Sequence, residues 1–526
     1  MDMSSVRDVG RRVPHTSRAH FRYGRHVIRA AASQTFPRQD YTVSDTIIEQ
    51  LADFTAQTEY DRLPPAVVEE CKRILLDSIG CAVAAIGEPK GRIGIDYARM
   101  MGGNDDATVI GTGERVSIFG AAFANGELIN ALDMDAVVPP GHVAPYVLPG
   151  ALAVGEARHA TGKALIEAIA LSHEMSYRLG KAMDYLRDTK DGKVSPPPVY
   201  GYSSTVFGAT AAIVKLKALP AEVLPNALGI AGSISPVNSQ VAWFQHAPSS
   251  TIKYLLAGAL TQTAMTAAHM AELGHRGDVQ ILDDREYGFP RFIGTRRWEA
   301  ERITTGLGTD WLFPTEQAYK PYPHCRILHA LLDSLTDIVE THDIAPHEID
   351  GIKAWVEGFV EQPVWLNREI EHVHDAQFSI AHGLALGAHR VPPGKAWQDP
   401  ELVFGRSVME LMDKVSHEVH PNYVELLSGH AASRPAKIEV SARGQTFLGE
   451  RRYPKGSPSP DPASLMSNDE LVAKFRRNTE DVMSADRIDD VIAAVFNLEN
   501  VDDVASIMRV LGPDARQTQS PERRIG

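Results

Sequence analysis

The sequence predicts a mainly α protein with a large all-helical domain and a smaller α+β domain. Three observations carry this. Runs of small and apolar residues recur at helical spacing between positions 47 and 273, with little strand-type alternation. Beyond about residue 318 the pattern changes: 352–358 (IKAWVEG) alternates like a strand, and 437–452 reads as a hairpin turning at Arg443-Gly444. Finally, 526 residues exceed what one hydrophobic core usually serves.

Taken in order, residues 1–42 form an arginine-rich arm with no lysine and only Asp2, Asp8 and Asp40 as acids. It lacks an apolar core, which excludes a secretory signal; its composition suits a disordered extension or a mitochondrial transit peptide. Ser44-Asp45 is the expected cap of the first helix, whose Ile47, Ile48, Leu51 and Phe54 repeat at helical spacing. Leu63-Pro64-Pro65 starts the second, where proline is tolerated in the first turn. Helical runs rich in Ala and Gly follow at 116–132, 146–159, 162–185, 205–218, 221–233 and 251–273. Residues 188–204 are a polar, proline-rich loop of a length that is often functional. A helix at 325–341 leads into the α+β part, where further helices are expected at 377–387 and 400–413. Helices at 469–477, 485–497 and 501–510 return to the first domain. The expected division is therefore 43–317 and 465–512 for the helical domain, 318–464 for the α+β domain, and a disordered tail from 513.

Composition limits the function. A net charge of −14 argues against nucleic acid and would repel an anionic substrate unless a local cluster of cations overrides it. Three scattered cysteines give neither a disulfide framework nor a zinc spacing, which points to a reducing compartment. No apolar run is long enough to span a bilayer, so no membrane partner is expected. The expected location is the cytoplasm, or the mitochondrial matrix if the arm is a transit peptide.

Four segments carry chemistry. In 130–150 (NALDMDAVVPPGHVAPYVLPG), Asp133 and Asp135 precede a Pro-Pro-Gly break and His142. A histidine beside such a break points from a loop, with a carboxylate near enough to fix its tautomer. Lys253 enters an otherwise apolar helix, where a snorkelling lysine is the alternative. In 319–329 (YKPYPHCRILH), Lys320, His324, Arg326 and His329 place four potential cations around two prolines. They form either an anion pocket or a solvated basic linker. His382 follows Gln377 and Ser379 on a helix and also fits a core histidine.

Together with LLDSIGCAVAA (75–85), GYSSTVFGATAA (201–212) and AQFSIAHGLALG (376–387), these segments resemble the MmgE/PrpD family. The resemblance extends from about Thr46 to Leu511. It implies an all-helical domain with an α+β lid, a homodimer, and an active site between the domains without metal or organic cofactor. It further implies that His142 is a base or acid beside Asp133, and that Lys253 and Lys320 bind substrate carboxylates. Arg326 is added from its spacing to Lys320.

Departures from the family pattern bear on the reaction. The aromatic-histidine expected near 201–203 is Tyr202-Ser203, so a second titrating histidine is absent there. Asp135-Ala136-Val137 makes the neighbouring wall less polar, Leu256 replaces a histidine, and Ala381-His382 replaces a Pro-Tyr pair. Ser203, Asp135 and Val137 are thus expected on the pocket wall, with His382 or Tyr322 supplying a second proton-transfer group. The expected activity is a cofactor-independent hydro-lyase acting on a small carboxylic acid. The alternatives are an isomerase or epimerase, a decarboxylase of a di- or tricarboxylic acid, and a degenerate metabolite-binding protein.

Overall fold

Apolar stripes at helical spacing become a stack of packed helices. A computed structural model describes residues 45–184, 189–190, 193–194, 197–237, 240–253 and 255–513. The arginine-rich arm, positions 188, 191–192 and 195–196 of the predicted 188–204 loop, and the tail from 514 lie outside the described residues. The longer helices of the first part are α1 (Ile47–Gln57), α2 (Pro65–Ala84), α3 (Pro89–Met101) and α4 (Ile118–Ala131). A two-stranded ribbon, β1 (Val137–Val138) and β2 (Gly141–His142), then leads to α5 (Ala144–Ala157) and α6 (Gly162–Ala182). After them come α7 (Thr205–Leu216), α8 (Val223–Ser233) and α9 (Ala257–Glu272).

Local rules explain the ends. Thr46, rather than Ser44 or Asp45, caps α1, because Glu49 three positions on completes a reciprocal capping box. Pro65 opens α2 as expected. The segment predicted as one helix from 251 starts only at Ala257, and Lys253 lies before it in a turn with φ 58°. Small residues set the close packing of this part. A Cβ on Gly126 would sit 3.1 Å from the Pro145 carbonyl and 3.2 Å from the Gly258 nitrogen, so α4 can approach α5 and α9 only without one.

The α+β part begins with α10 (His329–Thr341), which packs on a four-stranded sheet. Its strands are β3 (Ile349–Val356), β4 (Val415–Val419), β5 (Ala436–Ala442) and β6 (Gln445–Arg451), in the order β6-β5-β3-β4. The predicted hairpin is β5–β6, with Ala442 opposite Gln445 and positive φ at both Arg443 and Gly444, as a two-residue turn of this kind requires. Strand β4, parallel to β3, has no counterpart in the sequence reading; its burial pattern is mostly exposed, so alternation is faint. The α11 helix (Ile380–Gly387) lies between β3 and β4 in the chain.

The chain ends on α12 (Asn468–Thr479) and α13 (Ala485–Phe496). Both pack on α2, so the last helices return to the first part of the chain. Among the described residues, no helix is long and apolar enough to cross a membrane.

Candidate active site

The end of α4 and the ribbon after it build the site. Asp133 takes φ 52°, a conformation an aspartate tolerates better than most residues, and turns the chain out of α4. The ribbon then carries Val137 opposite His142, with a cis peptide bond between Pro139 and Pro140 in its turn. Val137 also exchanges two 2.8 Å backbone hydrogen bonds with Ala318. That pairing sets Lys320, two residues on, against the same loop. Gly141, at φ 155°, has the Tyr202 ring against its Cα; a Cβ would fall 2.3 Å from the Tyr202 oxygen.

The two aspartates flank one imidazole. Asp135 Oδ2 lies 2.7 Å from His142 Nδ1, and Asp133 Oδ1 lies 3.3 Å from Nε2. His142, expected beside Asp133, thus lies beside both aspartates, and the shorter contact belongs to Asp135. A ring carrying two protons satisfies both carboxylates. Asn130 donates to Asp135 Oδ1 at 3.3 Å and accepts from Lys90 Nζ at 3.0 Å.

Asp133 is fully buried. Lys320 Nζ reaches its Oδ2 at 2.5 Å, and Lys253 Nζ stands 3.8 Å from Oδ1. Burial favours the protonated acid, but Lys320, then Lys253 and His142, outweigh it and hold this carboxyl well below the usual carboxylate range. Lys253 also donates to the carbonyls of Asn130 and Ala131, both at 3.0 Å. Its own pKa is pushed down to about 7, chiefly by burial. The two lysines thus converge with His142 as expected, but they grip Asp133 and backbone rather than facing open space.

His142, unlike Asp133 and the two lysines, borders open space. A cavity of about 130 Å³ is walled by the ribbon, including Val137 and His142, and by Tyr200, Tyr202, Phe244, Phe359 and Trp365. Arg326 and Arg434 bring positive charge to it. Arg326 donates to the Lys455 carbonyl at 3.1 Å and to the Ser457 hydroxyl; Arg434 donates to the carbonyls of Ala431 and Ser433. Glu316, the acid on this wall, accepts from Lys181 at 2.8 Å and from the Tyr177 hydroxyl at 2.7 Å. Locally, two guanidinium groups outweigh one neutralised acid, so an anion is attracted despite the charge of the whole chain.

Other predicted residues sit elsewhere. His324 accepts from the Cys325 N–H at 2.9 Å and faces the Ser379 carbonyl with its other nitrogen; burial, helped by Lys320, pushes it down to about 3. Burial also holds His329 well below its usual range. Neither is a cation near neutral pH, so the expected four-cation cluster reduces to Lys320 and Arg326. Ser203 donates to the Pro236 carbonyl at 2.5 Å, and Tyr322 packs on His329 and Trp397; neither lines the cavity. His382 is buried on α11 with Nε2 2.9 Å from the Val403 carbonyl, the core-histidine alternative, and it too is off the cavity wall.

Sequence reasoning missed Asn130, Tyr202 and Arg434. Tyr202 was visible as the residue beside Ser203, and its ring centroid is 6.2 Å from that of His142. Arg434 precedes β5 in a loop without any distinguishing pattern. Among the described residues, no group of three or more His, Cys, Asp or Glu side chains is arranged to hold a metal ion.

Models of the MmgE/PrpD N-terminal and C-terminal domains match residues 49–301 and 322–498. The chain is 26% identical over 498 residues to cis-aconitate decarboxylase of Mus musculus, covering 90% of this chain and 95% of that protein. It is likewise 26% identical over 497 residues to cis-aconitate decarboxylase of Homo sapiens, with 90% and 96% covered. A cis-aconitate decarboxylase-like protein of Aspergillus oryzae is 23% identical over 495 residues, 90% of this chain and 98% of its own. With both domain models matched in order, the chain belongs to the MmgE/PrpD family.

Proposed function

We propose that this protein is a lyase that releases CO2 from a small acid with at least two carboxylates. The observation that carries the reading is His142, on a cavity wall with Arg326 and Arg434, and with an aspartate opposite each ring nitrogen. The relatives matched over nine-tenths of this chain are named decarboxylases, which agrees with it.

The arginines hold the carboxylates that remain, as bidentate forks. The carboxylate that leaves faces the apolar wall of Val137, Phe244 and Phe359, where loss of hydration raises its energy relative to neutral CO2. The C–CO2 bond breaks, its electron pair spreads toward a retained carboxylate, and an arginine steadies the charge that builds there. A proton from His142 Nε2, the nitrogen with the longer carboxylate contact, then closes the carbon, and the ring regains a proton from solvent. Asp135 fixes the ring, while Asp133 and its lysines set the charge behind it.

Dehydration is the second reading. Tyr202 supports it, since its hydroxyl lies against Gly141 on the same wall and offers a proton to a departing hydroxyl. Incubating the full chain with cis-aconitate, citrate and 2-methylcitrate in heavy water separates the two. One CO2 per turnover and one deuterium on product carbon is the expected result. Gain or loss of water at constant carbon number moves the assignment to the hydro-lyase reading. Stabilisation by an acid with no product from any of them overturns both.

A further inference from the structure

We infer that Lys474 and Asp77, from opposite ends of the chain, form a positioning device that clamps the backbone on both sides of Asp135 and so aims His142. Lys474, on α12, and Asp77, on α2, are both buried. Lys474 Nζ lies 2.6 Å from Asp77 Oδ1 and donates at 2.7 Å to the carbonyl of Met134. The other oxygen, Asp77 Oδ2, accepts the N–H of Ala136 at 2.9 Å. The residue between Met134 and Ala136 is Asp135, whose carboxylate is 2.7 Å from His142 Nδ1.

Neither member of the pair lines the cavity, and each lies on the buried face of its helix. A buried ion pair contributes little net stability compared with apolar side chains of the same volume. What this pair supplies is direction: one fixed acceptor and one fixed donor for the two peptide groups flanking Asp135. The α12 helix, 340 residues from the loop it holds, is thereby coupled to the histidine. Displacing a reacting group by about 1 Å costs about a hundredfold in rate, so a clamp of this kind acts on turnover.

The role of His142 in turnover rests on the reading above; its orientation does not, and the test keeps the two apart. In the full chain labelled with 15N-histidine, with His142→Gln identifying the signals, the wild-type Nδ1 is expected to show a protonated, hydrogen-bonded nitrogen. The Asp77→Leu/Lys474→Met double variant removes both charges and both backbone contacts. It is expected to give averaged His142 nitrogens. On cis-aconitate its kcat falls about a hundredfold while KM stays within about threefold. Lys474→Arg, which keeps the donor, retains most of the rate; where the double variant fails to fold, the isosteric Asp77→Asn/Lys474→Gln pair, which strands no charge and weakens both backbone contacts, is read for the same rate and nitrogen signature. A wild-type 15N signature in a folded double variant of either kind overturns the inference. If the wild type does not turn over cis-aconitate, the reaction is misassigned and the nitrogen signature alone decides.

Discussion

Asp133 and Lys320 are 187 positions apart in the chain and 2.5 Å apart in space, with 0% and 1% of their side chains exposed. The separation is closed by the Val137–Ala318 backbone pairing, so a short ribbon sets an electrostatic distance. Removing the lysine strands a buried carboxylate next to the weaker partner Lys253. Lys320→Met is therefore expected to lose about 3–5 kcal/mol in urea unfolding, and Asp133→Asn/Lys320→Met to regain most of it. Equal stability of the single and double variants would show that the pair is not what holds Asp133.

Asp135 and Asp133 face different nitrogens of one ring, and their removal should not be equivalent. Asp135→Asn replaces the acceptor on Nδ1 by an amide that can present a donor, which turns the ring to the wrong tautomer. Turnover is expected to fall by about 10²–10⁴, comparable to His142→Ala, with binding of the acid retained. Thermal shift with cis-aconitate alongside initial rates checks both halves. An Asp135→Asn protein within threefold or so of wild-type turnover removes the orienting role.

The helices were legible because burial imposes a period, and a period survives in sequence. The β5–β6 hairpin was legible because Arg443-Gly444 suits its turn. Convergence of positions 133, 142, 253 and 320 could be expected from resemblance, but the task of each cation could not. Lys253 and Lys320 read as ligand grips, yet their ammonium groups meet Asp133 and carbonyls. His324 reads as a cation until its neighbours Cys325 N–H and Ser379 carbonyl fix it as a neutral ring. Arg434 left no trace, because one arginine in an irregular loop has no pattern to break.

His382 separates catalytic from packing histidines. Its Nε2 bonds the Val403 carbonyl, and its Nδ1 is buried without a hydrogen-bond partner. His382→Asn is expected to leave kcat within about threefold of wild type and to cost about 1–2 kcal/mol in stability through the lost contact. A hundredfold loss of turnover in a folded variant would restore it to the catalytic set.

Arg434, on the cavity wall, is a carboxylate grip in the proposed reading. A charge-assisted hydrogen bond is worth about 1.5–3 kcal/mol, which converts to a rise of about ten- to a hundredfold in KM. Arg434→Gln should show that rise with kcat little changed, since the interaction is present before and during reaction. An unchanged KM for every acid the wild type accepts would place the bound carboxylates elsewhere in the cavity.

Lys253 gives the site a pH signature whose sign follows from proton binding. Its folded pKa is depressed to about 7, mainly by burial, from an ordinary value of 10.5. Lys320 takes Asp133 directly at 2.5 Å and leaves Lys253 3.8 Å off, too far to repay that burial. Between about pH 7 and 10.5 the unfolded chain holds a proton that the native state has released, so this group makes stability rise with pH, by at most about 1.4 kcal/mol per unit. Asp133 acts at the other end. Its depressed pKa contributes stability that is complete above about pH 4 and is lost as pH falls below that. Urea unfolding of wild type and Lys253→Met at pH 7, 8.5 and 9.5 isolates the lysine. The wild type should gain on the variant steadily across that range. A constant difference would mean that the ammonium keeps its proton throughout, bound by Asp133 and the two carbonyls.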